Sequence, residues 1–139
     1  MIWTYLHHVI LHFPIVLLPT VAGIGLYAVG KQSAPLYTLL RVVSWVSVGF
    51  MLLAMISGWL SAPGHVSPEQ LGRLEHHRDL ALTVGVVGVV AGGCVERGAR
   101  SQSRDWWVAG VGFWCIAAFG ILGVGHWGGS MLNADLVPF

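Results

Sequence analysis

Four apolar runs, each near the roughly 20 residues that a membrane-spanning helix needs, leave this chain little to fold into but a membrane bundle. They cover Tyr5–Val29, Leu39–Ser61, His77–Val95 and Trp106–Trp127. The connections between them are too short to form a soluble domain. Only 9% of the residues are charged and 55% are apolar, where about a quarter of a soluble domain is charged. In lipid, a backbone must satisfy its own polar groups, and runs of this length do so as helices. The expected fold class is all-α integral membrane: one four-helix transmembrane bundle over residues 1–139, running up-down-up-down. No Lys or Arg precedes the first run and no good small-residue cleavage site ends it, so it reads as a retained helix.

Basic residues set the expected orientation. Lys31, Arg41, Arg97, Arg100 and Arg104 flank the first and third connections, while only Arg73 and Arg78 sit on the other side. The positive-inside rule then puts both termini and the second connection outside the cytoplasm. Aromatic belts fit four spans, with Trp3, Tyr5, Trp59 and Trp127 at the outer level. Tyr27, Tyr37, Trp106 and Trp107 mark the inner one. The expected location is the inner membrane of a bacterium. Net charge is +1 with no basic patch, so nothing points to nucleic acid.

The punctuation is short. Pro14 and Pro19 lie inside the first run, where each removes a backbone donor and favours a bend. Gly30–Pro35 reads as a turn and Arg100–Asp105 as a charged hairpin. Ser67-Pro68-Glu69-Gln70 could open a short interfacial helix in the longest connection. Cys94 and Cys115 form no C-x-x-C pair, which removes c-type haem attachment and thiol redox chemistry.

Polarity within the spans is concentrated in histidine. All seven histidines fall on the outer side. His8 and His12 stand four apart, hence on one helix face. His12, His77 and His126 lie 19, 20 and 22 residues from Lys31, Arg97 and Arg104. At 1.5 Å per residue those distances are all about 30 Å, so three helices deliver a histidine to one depth. His7, His8, His65 and His76 lie at or just beyond that level. Beneath His77 come Ala81, Gly85, Gly88 and Gly92; beneath His126 come Gly123, Phe119, Cys115 and Gly112; beneath His12 come Ile15, Pro19 and Gly23. Such small-residue stripes let helices pack closely, within a bundle or between subunits. They also leave room for a flat macrocycle beside an axial histidine.

Three readings stay open. Imidazoles without thiolates suit haem iron, copper or zinc. The apolar, glycine-lined slot favours b-type haem, one or two, with His8, His12, His77 and His126 as candidate binding residues and His12, His77 and His126 as candidate axial ligands. A bare Cu or Zn site is the second reading. A cofactor-free structural or assembly subunit, its histidines satisfied by headgroups or partner chains, is the third. Proton relay is disfavoured, because no Asp, Glu, Lys or Arg lies in the central portion of any run. Hydrolysis is unsupported, since no H-E-x-x-H motif occurs.

The stretches His8-Val9-Ile10-Leu11-His12-Phe13-Pro14, His76-His77-Arg78-Asp79-Leu80 and Gly125-His126-Trp127-Gly128-Gly129-Ser130-Met131-Leu132 resemble an uncharacterised four-helix membrane domain family. Its members carry an H-x-x-x-H-F-P opening, a histidine heading the third helix and a Gly-Gly close, and some are joined to c-type cytochrome domains. The resemblance covers nearly the whole chain, and its first and last motifs are the specific ones. It implies a membrane haem or electron-transfer role for His8, His12, His77 and His126. Many members place a further histidine where this chain has Asn133-Ala134-Asp135, so that ligand position is absent here. The expected function is a b-type cytochrome-like subunit exchanging electrons with quinol, a cytochrome c or both. It would be a redox subunit of a larger membrane complex rather than a stand-alone enzyme.

Overall fold

The computed structural model describes the backbone of residues 2–61 and 68–134, and the side chains of residues 2–61 and 71–128. His65 lies outside the described residues. The chain forms four long helices: α1 (Ile2–Lys31), α2 (Ala34–Leu60), α3 (Pro68–Ser101) and α4 (Arg104–Ala134). Each contains a segment long and apolar enough to cross a membrane.

All four helices run further than the apolar runs alone indicate. Helix α1 passes unbroken through Pro14 and Pro19. Pro68, Glu69 and Gln70, expected in a short interfacial helix, belong to α3 itself, and Pro68 opens it, a first-turn position where a missing N–H costs nothing. The first and third connections are tighter than the expected Gly30–Pro35 turn and Arg100–Asp105 hairpin. Each is two residues long, Gln32-Ser33 and Gln102-Ser103, with the glutamine left-handed at φ 50° and 52°.

The packing seams alternate steps of three and four. On α1 the buried positions are Pro14, Leu18, Val21, Gly25 and Ala28; on α3 they include Val84, Gly88, Ala91, Val95 and Gly98. Helix α2 contributes Leu40, Ser44, Ser47 and Met51, and α4 contributes Trp107, Gly110, Trp114, Ala117 and Ile121. This is the 3.5-residue repeat of antiparallel bundles. Helix α1 packs on α2 and α4, and α3 on α4 and α2; the diagonal pairs make no close backbone approach.

The two hairpins are versions of one another, offset by 70 positions. Helices α1 and α3 end at Lys31 and Ser101, and α2 and α4 begin at Ala34 and Arg104. His7, Val16, Gly23, Gln32, Ser33, Leu52 and Gly58 recur as His77, Val86, Gly93, Gln102, Ser103, Leu122 and Gly128. Those identities alone are few; the contacts establish the relation. Trp114 donates its indole N–H to the Ser44 hydroxyl at 3.0 Å. Tyr37 stacks on Trp107, with ring centres 4.4 Å apart. In both pairs a residue meets its own equivalent, which happens only beside a two-fold axis. Both hairpins start at the same end of the bundle, so this pseudo-two-fold axis runs along it, as in parallel-repeat membrane proteins. The end carrying the two Gln-Ser turns is called the turn end below, and the opposite one the histidine end.

The two inter-hairpin seams are filled differently. Between α2 and α3, Arg41 makes two hydrogen bonds to Glu96, at 2.7 and 2.8 Å. Glu96 also accepts from Arg100 at 2.9 Å and from the Trp45 indole at 3.3 Å. The equivalent positions between α1 and α4 are Leu26 and Val111, and Val111 packs onto Gly25, where a Cβ would come within 2.7 Å of it.

Candidate functional site

The seams decide which histidines face inward. His77 is seven residues before Val84 and His7 seven before Pro14, so both continue the buried stripe of their helix. His7 and His77 are equivalent under the 70-residue offset and stand on diagonal helices at the histidine end.

Each is held by the second helix of its own hairpin. The His7 Nδ1–H donates to the Ala54 carbonyl at 3.1 Å and lies 3.1 Å from the Ser57 hydroxyl oxygen. Ser57 in turn donates to the Ala54 carbonyl at 3.0 Å. A carbonyl can only accept, so the hydrogen sits on Nδ1 and Nε2 carries the lone pair. Among the described residues, nothing hydrogen-bonds that Nε2. On the other side the Val124 carbonyl, the equivalent of Ala54, interacts with the His77 ring. No hydrogen bond of ordinary geometry closes there, and His77 Nδ1 is buried without a partner.

Glycine lets both rings lie close against the facing helix. A Cβ on Gly58 would fall 2.9 Å from His7 Cε1, and one on Gly128 would fall 3.2 Å from His77 Cε1. Each half therefore repeats one device: an inward imidazole, a main-chain carbonyl on the facing helix, and a glycine one turn further on.

The remaining histidines have other surroundings. His8 is half-buried and His12 exposed; each donates through Nδ1 to the carbonyl four residues back, Thr4 and His8, at 2.6 Å. His126 is exposed and edge-on to Trp127. His76, also exposed, meets the same indole edge-on with centres 5.0 Å apart. Of the four candidates read from the sequence, only His77 points into the bundle. Pro19 and Gly23 below His12, and Phe119 and Gly112 below His126, are exposed rather than lining a slot. The i,i+4 spacing of His8 and His12 obscured His7, whose signal was its phase with Pro14, Leu18 and Val21.

A pair of imidazoles matches the two axial positions of a six-coordinate haem. A structural zinc site needs four ligands and a catalytic one three, and no group of three His, Cys, Asp or Glu able to hold a metal ion occurs among the described residues. At His7 the Ala54 carbonyl fixes the tautomer and leaves Nε2 free, as partners of ligating imidazoles do; His77 Nδ1 has no such hydrogen bond among the described residues. Comparison with protein-family models, with curated proteins and with solved structures returns no match.

Proposed function

We propose that this chain is a b-type cytochrome-like electron-transfer subunit, in which His7 and His77 would hold one haem at the histidine end. The observation that supports it is the pairing itself: two inward imidazoles, equivalent under the pseudo-two-fold, each facing a carbonyl and a glycine of the adjacent helix. This reading replaces His12 and His126 with His7 and keeps His77. His8 becomes a neighbour of the site rather than a ligand.

When bound, haem supplies a reversible one-electron couple at the iron. The chain's part is orientation. The Ala54 carbonyl fixes the tautomer and orientation of the His7 ring, as second-shell carbonyls do for ligating imidazoles. A haem held by both histidines would serve electron transfer rather than substrate activation.

The remaining parts of the reading follow from charge and resemblance. The histidine end faces away from the cytoplasm of a bacterial inner membrane, where quinol or a cytochrome c can exchange electrons with the site. The exposed apolar helix faces meet lipid and other subunits of a membrane complex.

The deciding measurement is the reduced-minus-oxidised optical spectrum of protein purified from a haem-replete membrane. A low-spin b-type spectrum, lost in both His7→Ala and His77→Ala, is expected. A haem-free protein, or one whose spectrum survives both substitutions, overturns the reading and leaves the pair a packing role.

A further inference from the structure

The turn end carries a second feature, remote from the histidines. A groove of about 410 Å³ opens on the pseudo-two-fold axis, lined by Gln32, Tyr37, Arg41, Gln102, Arg104 and Trp107 among others. Its volume is within the range of small-ligand sites. Its composition is two-fold paired: Gln32 with Gln102, Tyr37 with Trp107, and Ala34 with Arg104. The stacked Tyr37 and Trp107 rings lie at the axis.

The charge around it is one-sided. Lys31, Arg41, Arg97, Arg100 and Arg104 stand against Glu96 and Asp105 at this end. Glu96 is already shared by Arg41, Arg100 and Trp45. Arg104 is exposed and has no hydrogen-bond or ion-pair partner among the described residues. Lys31 and Arg97 lean over Tyr27 and Trp106, the way basic side chains snorkel toward headgroups beside interfacial aromatics. An unpaired arginine over a polar groove at headgroup depth lacks one component, an anion.

We propose that this groove binds a phosphate ester, with Arg104 as the principal contact, Arg41 as a fixed wall charge and the Gln32 and Gln102 amides as neutral donors. Guanidinium groups bind phosphate oxygens in paired hydrogen bonds, which an exposed lysine does not reproduce. The headgroup of an anionic phospholipid and a soluble phosphate ester offer the same chemistry, and the test separates them.

Purified protein is reconstituted in nanodiscs holding equal phosphatidylglycerol and phosphatidylcholine, and retained lipid is counted by native mass spectrometry. In parallel, glycerol phosphate is titrated into detergent-solubilised protein by calorimetry. The expected result is preferential retention of phosphatidylglycerol, falling about fivefold in Arg104→Gln, the loss expected for one basic contact at a membrane surface. Arg100→Gln, whose guanidinium lies outside the groove, should retain lipid like the parent chain. Saturable glycerol phosphate binding with the same Arg104 dependence, without lipid preference, assigns the groove to soluble esters. Equal retention of the two lipids together with no glycerol phosphate binding overturns the proposal, as does an equal loss in both variants. Arg104 is exposed, and an unchanged thermal midpoint in Arg104→Gln separates lost binding from lost fold. The haem spectrum is read separately, so this result and the histidine reading stand or fall independently.

Discussion

The α1–α2 and α3–α4 hairpins share a plan, and their differences separate what the axis needs from what each seam tolerates. Both halves keep an inward histidine, a facing glycine and the Gln-Ser turn. They diverge where only one helix pair is concerned. Met55 fills the space over Gly85 on the α2/α3 side, whereas its equivalent Gly125 has nothing within 4 Å of a would-be Cβ. Likewise the Arg41–Glu96 clamp on one seam has Val111 and Leu26 as its counterparts on the other. Residues that meet across the axis are constrained twice, once by each half. Residues on a lateral seam answer to a single neighbour.

The sharpest way to break this comparison is at the histidines. His7→Ala and His77→Ala should each abolish the low-spin spectrum, with equal severity because the two positions are equivalent. His12→Ala and His126→Ala should leave it intact, since both side chains are exposed. A spectrum that depends on His12 or His126 and not on His7 would move the site to the outer surface of the bundle and sever it from the axis.

Next in size are the packing positions. Trp114 is fully buried and is bonded to its equivalent Ser44. Trp114→Ala should cost about 3–5 kcal/mol, as large-to-small changes at buried aromatic sites do, read as a fall in thermal or denaturant midpoint in detergent. Gly25→Val drives methyl groups into Val111 and should cost about 1–3 kcal/mol. Gly23→Val, with no neighbour within 4 Å, should be close to neutral in the same assay.

The four spans were legible because hydropathy over twenty residues depends on lipid alone, not on which neighbour a helix finds. The inward faces were less so. In α3 the small residues Ala81, Gly85, Gly88 and Gly92 marked the buried side well enough to place His77. In α1 and α4 apolar residues surround the helix, because one side meets protein and the other lipid. There the stripes beneath His12 and His126 carried no signal of direction. What does carry it is the three-four rhythm of Pro14, Leu18, Val21, Gly25 and Ala28, which extends back to His7. The two-fold relation was hidden for another reason: few residues are identical between the halves, and the equivalence appears through pairs such as Tyr37 with Trp107 that share a role and not a residue type.

A finer test of the shared device uses its glycines. Gly58→Ala and Gly128→Ala each place a methyl against an imidazole, displacing the ring from the carbonyl that orients it. Each should weaken haem retention by about tenfold, the lower end of what second-shell changes cost, measured by competition with apomyoglobin. Gly125→Ala, only a few residues along α4 from Gly128, meets open space and should retain haem like the parent. If the two ring-facing variants differ strongly from each other, the halves are unequal at the site and one histidine dominates its hold.

A modest loss of stability is expected from Glu96→Gln. Its carboxylate joins α2 to α3 through Arg41 and cements the end of α3 through Arg100, yet these partners reach the membrane surface, where water and salt weaken ion pairs. The substitution keeps the shape and one acceptor oxygen, removing charge alone. The thermal midpoint should fall less than for Gly25→Val, and the difference from the parent should shrink as salt is raised. Such screening would show that the α2/α3 seam is closed by exposed charge where α1/α4 is closed by contact. A salt-independent loss comparable to that of Gly25→Val would mean instead that Glu96 is sealed from water, making the two seams alike in strength and mechanism.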